Sequence, residues 1–339
     1  MDNTPAILRA GFPYLKTLGM RRVTSGAVDI AIGNEGRLYI LCRGHGSVSQ
    51  KILRYTFDDK ELGSIGGPGT EEGNFLWPSS LIIDSQENLC VSDEFCHRIS
   101  FFSKDGEFLS CWGEPGKGDG QLDRPSSIAF DKSENLYVSD TLNHRIQMFT
   151  KDGQFLKNWG CKGNGDGEFN MPWGLAIDES ENVYVADWRN NRIQKFTADG
   201  EFILKFGSAG TDNGKFNQPS GVEIDKDGDI YVADWGNNRV QLFNSEGRYV
   251  DKFIGDATLS KSALEYVMAN AVTLRLRDES LLEPQKRLRG PISVRVDTQG
   301  IMYIVDHGSH RVQLYQKESY RLGTKDIAPI SRSPTLMVT

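Results

Sequence analysis

The sequence predicts an all-β fold: a six-bladed β-propeller of four-stranded antiparallel blades, its ring closed by an N-terminal strand in the last blade. Two observations predict it. Proline recurs at Pro78, Pro125, Pro172 and Pro219, 47 residues apart each time, and aspartates follow each at +6 and +15 with an arginine at +20. A fixed period of about 20–50 residues is the signature of a repeat architecture. Within one period, moreover, the apolar residues fall into four short runs separated by turn residues, with no helical periodicity.

Residues 120–160 illustrate the unit. Ser127 to Phe130 is a short apolar run closed by Asp131, and Leu136 to Ser139 is a second, closed by Asp140. Ile146 to Phe149 alternates apolar and polar residues, Asp152-Gly153 supplies a tight hairpin turn, and Gln154 to Trp159 alternates again. Four antiparallel strands per unit of this length make one propeller blade. Ile128, Phe130, Tyr137, Val138, Ile146 and Phe149 are then blade–blade core.

Two degenerate copies flank the four regular ones. Pro291, Asp297, Asp306 and Arg311 repeat the offsets downstream, 72 residues after Pro219, so 25 extra residues precede them. Upstream, Ala31 to Tyr39 matches Ala129 to Tyr137, with Ala27 in place of the proline, Cys42 in place of the second aspartate and Lys51 in place of the arginine. Tyr14 to Gly19 resembles the outer strand Phe155 to Gly160 and precedes the first blade, so residues 12–18 are expected to complete the sixth blade and abolish the open sheet edges. The division is an N-terminal segment 1–19, a propeller over 20–316 with blades near 20–66, 73–113, 120–160, 167–207, 214–255 and 288–316, an insertion over 256–287, and a tail over 317–339. Ser262-x-x-Glu265 is a capping-box pattern, which predicts a short helix in the insertion, lying on the channel face as a lid or partner surface.

The residues at the end of each second strand resemble NHL repeats. The hallmark segment stands as Asn143-His144-Arg145, Asn190-Asn191-Arg192 and Asn237-Asn238-Arg239, with weaker versions at Cys96-His97-Arg98 and Ser309-His310-Arg311. The resemblance covers about residues 12–316 and implies the propeller fold. It says little about function, because one fold hosts many. Amidating lyases of related architecture hold zinc with several histidines, and sugar-lactone hydrolases use a Glu–Asn–Asp metal set; neither set transfers to this chain residue by residue. Related propellers at the ends of ubiquitin-ligase-type chains bind RNA on a basic face.

Composition narrows the function classes. Net charge is −7 and the pI about 5.4, which disfavours a protein devoted to nucleic acid. Met1 to Gly19 shows no basic stretch leading into an apolar one, and no run is long enough to span a membrane. Five cysteines without a CxxC pair fit a reduced, cytoplasmic protein, expected to be a monomer.

A structural device recurs in every blade, whereas a specific site need not. The repeated Asp–Arg pairs are therefore read as bracing, and the Asn/His slot (His97, His144, Asn191, Asn238, His310) as a hydrogen-bonding position. The residues that break the register are the site candidates. Trp188 and Trp235 follow the ring aspartates of adjacent blades, and Trp173 follows a strand-one proline; with Arg43 and Arg189 beside them they form a stacking platform for a ligand. Blades six and one bring Asp306, His307 and Cys42 near Asp29, and Glu94 comes from the next blade: a catalytic set of acids, a thiol and an imidazole, able to take a divalent metal such as calcium, magnesium or zinc. Glu223 and Arg295 share one strand-one position in adjacent blades and are expected to pair and orient ligand. His45 is the other histidine off the pattern. The leading reading is a binding module for a protein, peptide or small molecule on the insertion-bearing channel face. The alternatives are a metal-assisted hydrolase or lyase at the channel mouth, and a single-stranded RNA binder using the three tryptophans.

Overall fold

The computed structural model describes residues 7–44, 50–270 and 282–321. Six four-stranded antiparallel sheets form the ring, five of them meandering in chain order from the channel outward. In the third blade the strands are Pro125–Phe130, Leu136–Asp140, Arg145–Phe149 and Phe155–Trp159. The sixth sheet is completed from the other end of the chain: Tyr14–Leu18 pairs with Arg311–Gln316, with Leu18 opposite Val312. Ile7–Gly11 also pairs with Glu318–Arg321, so the start of the tail is a strand where the sequence shows no pattern.

The core lies between blades, and the two-residue strand period distributes it. In the second strand of blade three, Leu136 and Val138 pack on Cys90 and Ile99 of blade two, while Tyr137 between them packs on Leu175 and Val183 of blade four. The first blade keeps the same register, with Cys42 opposite Lys51 where Asp140 stands opposite Arg145.

The repeated polar residues form two devices. Asp140, Asp187, Asp234 and Asp306 each take an arginine Nε on one carboxylate oxygen, from Arg145, Arg192, Arg239 and Arg311, at 2.7–2.8 Å. The other oxygen accepts a backbone N–H from the turn before strand one, at 2.6–2.7 Å. Blade two departs from this: Asp93 accepts backbone N–H groups of Leu76, Trp77, Phe95 and Cys96, and Arg98 donates to the Thr70, Glu71 and Asn74 carbonyls. There Cys96 and Ser100 replace the asparagine and glutamine that, as Asn143 and Gln147, also donate to the carboxylate.

The Asn/His slot is the second device. His97, His144, Asn191, Asn238 and His310 all have φ between 51° and 57°, a left-handed backbone that Asn and His tolerate better than most residues. Each places a δ acceptor on a backbone N–H of the following blade; His144 Nδ1 accepts from Met171 at 3.0 Å and Asn191 Oδ1 from Gln218 at 2.8 Å. His310 makes the same bond to Gly26 at 2.8 Å, across the closing seam. The slot is a blade-to-blade clamp.

The described helix of the insertion does not lie over the channel mouth as a lid. Helix Lys261–Met268 is capped by Ser260, and its first turn is fixed by Ser262, whose N and Oγ donate to Asp59 Oδ2 at 2.8 and 2.9 Å. Asp59 lies in the hairpin between strands three and four of blade one, at the opposite ends of the strands from the loops between strands two and three. Tyr266 lies under the Arg22 guanidinium at 4.8 Å. The helix thus packs at the outer edge of blades six and one, away from the channel mouth. Residues 271–281, the blade-one insertion with His45 (45–49), and the tail from 322 lie outside the described residues.

Candidate functional site

The first strands line the channel, and their close approach needs small residues. A Cβ on Gly174 stands 2.7 Å from the Ser220 carbonyl oxygen, so only glycine fits there. At the level of Glu223 and Arg295 the expected pair forms, Nη1 to Oε2 at 3.2 Å, but it is a triad. Asp29 takes Arg295 Nη2 and Nε at 2.6 and 3.1 Å. Asp29 also accepts from Ser80 Oγ at 3.0 Å, Leu81 N at 2.9 Å and Ser293 Oγ at 2.6 Å. Asp29 therefore belongs to the channel wall and does not join His307. Above the triad a cavity of about 20 Å³ has room for about one water. Below it, a cavity of about 390 Å³ opens at the far mouth, with Glu223 and Arg295 on its wall.

Burial raises the Glu223 carboxyl to about 7, although the Arg295 guanidinium opposes the shift. The sign of the linkage follows. Below the ordinary carboxyl range both folded and unfolded chains hold this proton. Between that range and about pH 7 the unfolded chain ionises first, so stability from this group is lost as pH rises through the folded value. Replacing Glu223 by glutamine removes the titration. Urea unfolding from pH 5 to pH 8 is expected to move the stability difference in favour of E223Q by on the order of 1–3 kcal/mol; a flat difference contradicts the assignment.

At the mouth formed by the loops between strands two and three, a cavity of about 150 Å³ is lined by Arg43, Trp173, Trp188, Ser220, Trp235, Ile292 and His307. The three register-breaking indoles thus converge on one space. Trp173 and Trp188 have ring centroids 5.6 Å apart at 44°, and the Arg189 guanidinium covers Trp188 at 4.6 Å. Trp235 is 39 % exposed. His307 Nδ1 donates to the Ala27 carbonyl oxygen at 2.9 Å, which sets the ring's tautomer and orientation. Arg43 stacks on Trp77 at 4.6 Å and pairs with Glu94 at 3.2 Å. Burial raises the Glu94 carboxyl and lowers the Arg43 guanidinium, each against the pull of the other.

The acid–thiol–imidazole set suggested by the sequence is dispersed. Only His307 lines the mouth cavity. Asp306 is spent in its brace, Asp29 in the triad, and Glu94 on Arg43 and Ser79. Cys42 is fully buried among Leu38, Ile40 and Leu53, and burial pushes its thiol up to about 12, so it is a neutral core side chain. Among the described residues no group of three or more His, Cys, Asp or Glu is placed to hold a metal ion. All five cysteines are free; Cys90 is buried and Cys111 half-buried.

A feature missed in the sequence lies beside the indoles. A groove of about 520 Å³ between blades five and six is lined by Trp235, Gly236, Arg289, His307 and Gly308 among others. Gly236 and Gly308 stand where blades two, three and four carry Phe95, Leu142 and Arg189. Both glycines line the groove, and they break the register as visibly as the tryptophans do.

The NHL repeat model matches residues 122–149, 169–196 and 216–243, inside blades three, four and five. The chain is an NHL-repeat propeller. No curated protein sequence matches it. Solved structures similar to this NHL propeller include a virginiamycin B lyase from Staphylococcus aureus, at 14% identity and a TM-score of 0.57, covering 90% of this chain and 99% of that one. A gluconolactonase from Xanthomonas campestris is similar at 13% identity and a TM-score of 0.60, covering 93% and 91%. A protein of unknown function from Bacteroides thetaiotaomicron is similar at 17% identity and a TM-score of 0.61, covering 92% and 76%. At these identities the likeness speaks to the fold alone. No helix of the described residues is long and apolar enough to cross a membrane.

Proposed function

We propose that this NHL propeller is a binding module, and that its ligand seats a flat, ring-bearing group among Trp173, Trp188 and Trp235 at the channel mouth. The observation that carries the reading is the convergence of these indoles, with Arg43 and His307, on one cavity of about 150 Å³. Indoles give a ring a large apolar contact and leave it an edge for polar groups. The ligand is a small molecule, or a peptide or protein presenting such a ring. The enzymatic reading draws on the lyase and gluconolactonase folds. It has less support here, because the acids proposed for it are each held by other partners. Single-stranded RNA fits poorly with a net charge of −7. Five unpaired cysteines suit a reducing compartment, and we take the module to be cytoplasmic and monomeric.

Isothermal titration of the full chain with indole is the direct test. Saturable binding is expected, and W188A/W235A is expected to abolish it while keeping the wild-type circular dichroism. Binding that survives in the folded double variant contradicts the proposal.

A further inference from the structure

The charge at this mouth runs against that of the molecule. The chain carries −7, yet Arg43, Arg289 and His307 line the indole cavity and the adjoining groove, and no carboxylate lines either one. The charges differ in availability. Arg43 is answered by Glu94 at 3.2 Å. Arg289 is exposed and uses its backbone, donating to Asp306 Oδ1 at 2.7 Å and accepting from Gly308 N at 2.8 Å. No hydrogen bond or ion pair among the described residues engages its guanidinium. Trp235 and His307 line both spaces, so the cavity and the groove meet at these two side chains. Together they reach the several hundred Å³ ordinary for small-ligand sites.

Building on the binding reading above, we infer that the ligand is a flat ring bearing an anionic group, a carboxylate or a phosphate. The ring lies against Trp173, Trp188 and Trp235, and the anion is taken by Arg289 in the groove between blades five and six. A guanidinium offers a planar fork of donors that matches both oxyanions, and its hydrogen bonds to an anion are stronger than neutral ones. A local positive patch also attracts a small anion, while the net charge of −7 works against a polyanion. Gly236 and Gly308 line the groove between the indoles and this guanidinium.

The test is a calorimetric titration of the full chain with four probes: indole, indole-3-acetate, phenyl phosphate and tryptamine. The two acids are expected to bind about tenfold more tightly than indole, the ratio one charge-assisted contact supports, and tryptamine more weakly than indole. In R289A the ratio of indole-3-acetate to indole affinity is expected to fall toward one. Equal binding of acids and indole, or tryptamine binding best, overturns the inference and leaves the ring site standing. A ratio unchanged in R289A overturns the assignment to Arg289. Failure of all four probes to bind overturns both the inference and the binding reading on which it rests.

Discussion

Replacing Arg295 by methionine is expected to destabilise the propeller by about 3–5 kcal/mol, the usual cost of removing one partner from a buried ion pair. The guanidinium is held on one side by Asp29 at 2.6 and 3.1 Å and on the other by Glu223 at 3.2 Å. Methionine keeps much of the stem's volume and deletes the charge. It leaves two carboxylates facing one another in the channel, Asp29 being only 2 % exposed. The loss is expected to be larger at pH 8 than at pH 5, because protonation relieves the repulsion. The triple variant D29N/E223Q/R295M is expected to recover most of it, since replacing a whole buried ionic network is often nearly neutral. Urea unfolding of the three proteins at both pH values checks this. A loss below about 1 kcal/mol in R295M marks the triad as solvent-screened and contradicts the account.

Lys317→Met is expected to be comparably severe. Its ammonium sits at the focus of the first hairpin of blade five, 2.5 Å from Asp225, 2.8 Å from Asp227 and 3.0 Å from Asp229, with 3% of the side chain exposed. Burial works against the charge, and the hydrogen bonds that the ammonium donates to Asp225 and Asp227 more than reverse it, so the pKa is raised. A raised lysine pKa means that stability from this group is lost as pH rises through the folded value, well above neutrality. Removing the ammonium leaves three carboxylates converging on one point, and it also unties the end of blade six from blade five. A loss of about 3–5 kcal/mol at neutral pH is expected, shrinking as pH falls into the carboxylate range. Thermal unfolding of K317M against wild type at pH 7 and pH 4.5 measures both effects, and a loss independent of pH contradicts the electrostatic explanation.

The blades were legible because each strand must send alternate residues to the two neighbouring blades, and each turn must place the same acceptor. That pattern survives in the chain as offsets from Pro78, Pro125, Pro172 and Pro219. The Asn/His slot was legible for the same reason: a left-handed residue with a δ acceptor admits Asn and His and little else. The indoles were legible as departures from the register. What the register lacks is depth. Asp29 and His307 belong to blades that meet at the seam, yet Asp29 stands two residues beyond Ala27 down its strand, about 7 Å deeper in the channel, where Arg295 reaches it. Cys42 shares a strand face with Leu38 and Ile40, and strict alternation assigns it to the core. A contact with no counterpart in other blades was invisible: Asp59 with Ser262 joins segments whose local patterns carry no mark of each other. Lys317 with Asp225 instead repeats between blades six and five what Lys151 does with Asp84 between blades three and two, each lysine standing six residues after its brace arginine.

The central claim is that specificity resides where the repeat is broken, at the indole-lined mouth. The chain has six tryptophans and hence six indole N–H resonances. Trp112 and Trp159 pack in the interfaces between blades, Trp112 with its Nε1 donating to the Lys151 carbonyl at 2.9 Å. A nitrogen–proton correlation titration with indole, the resonances assigned by single substitutions, tests the claim most directly. The expected result is saturable shifts at Trp173, Trp188 and Trp235 with Trp112 and Trp159 unmoved. Shifts at Trp112 and Trp159 without any at the three mouth tryptophans contradict the account.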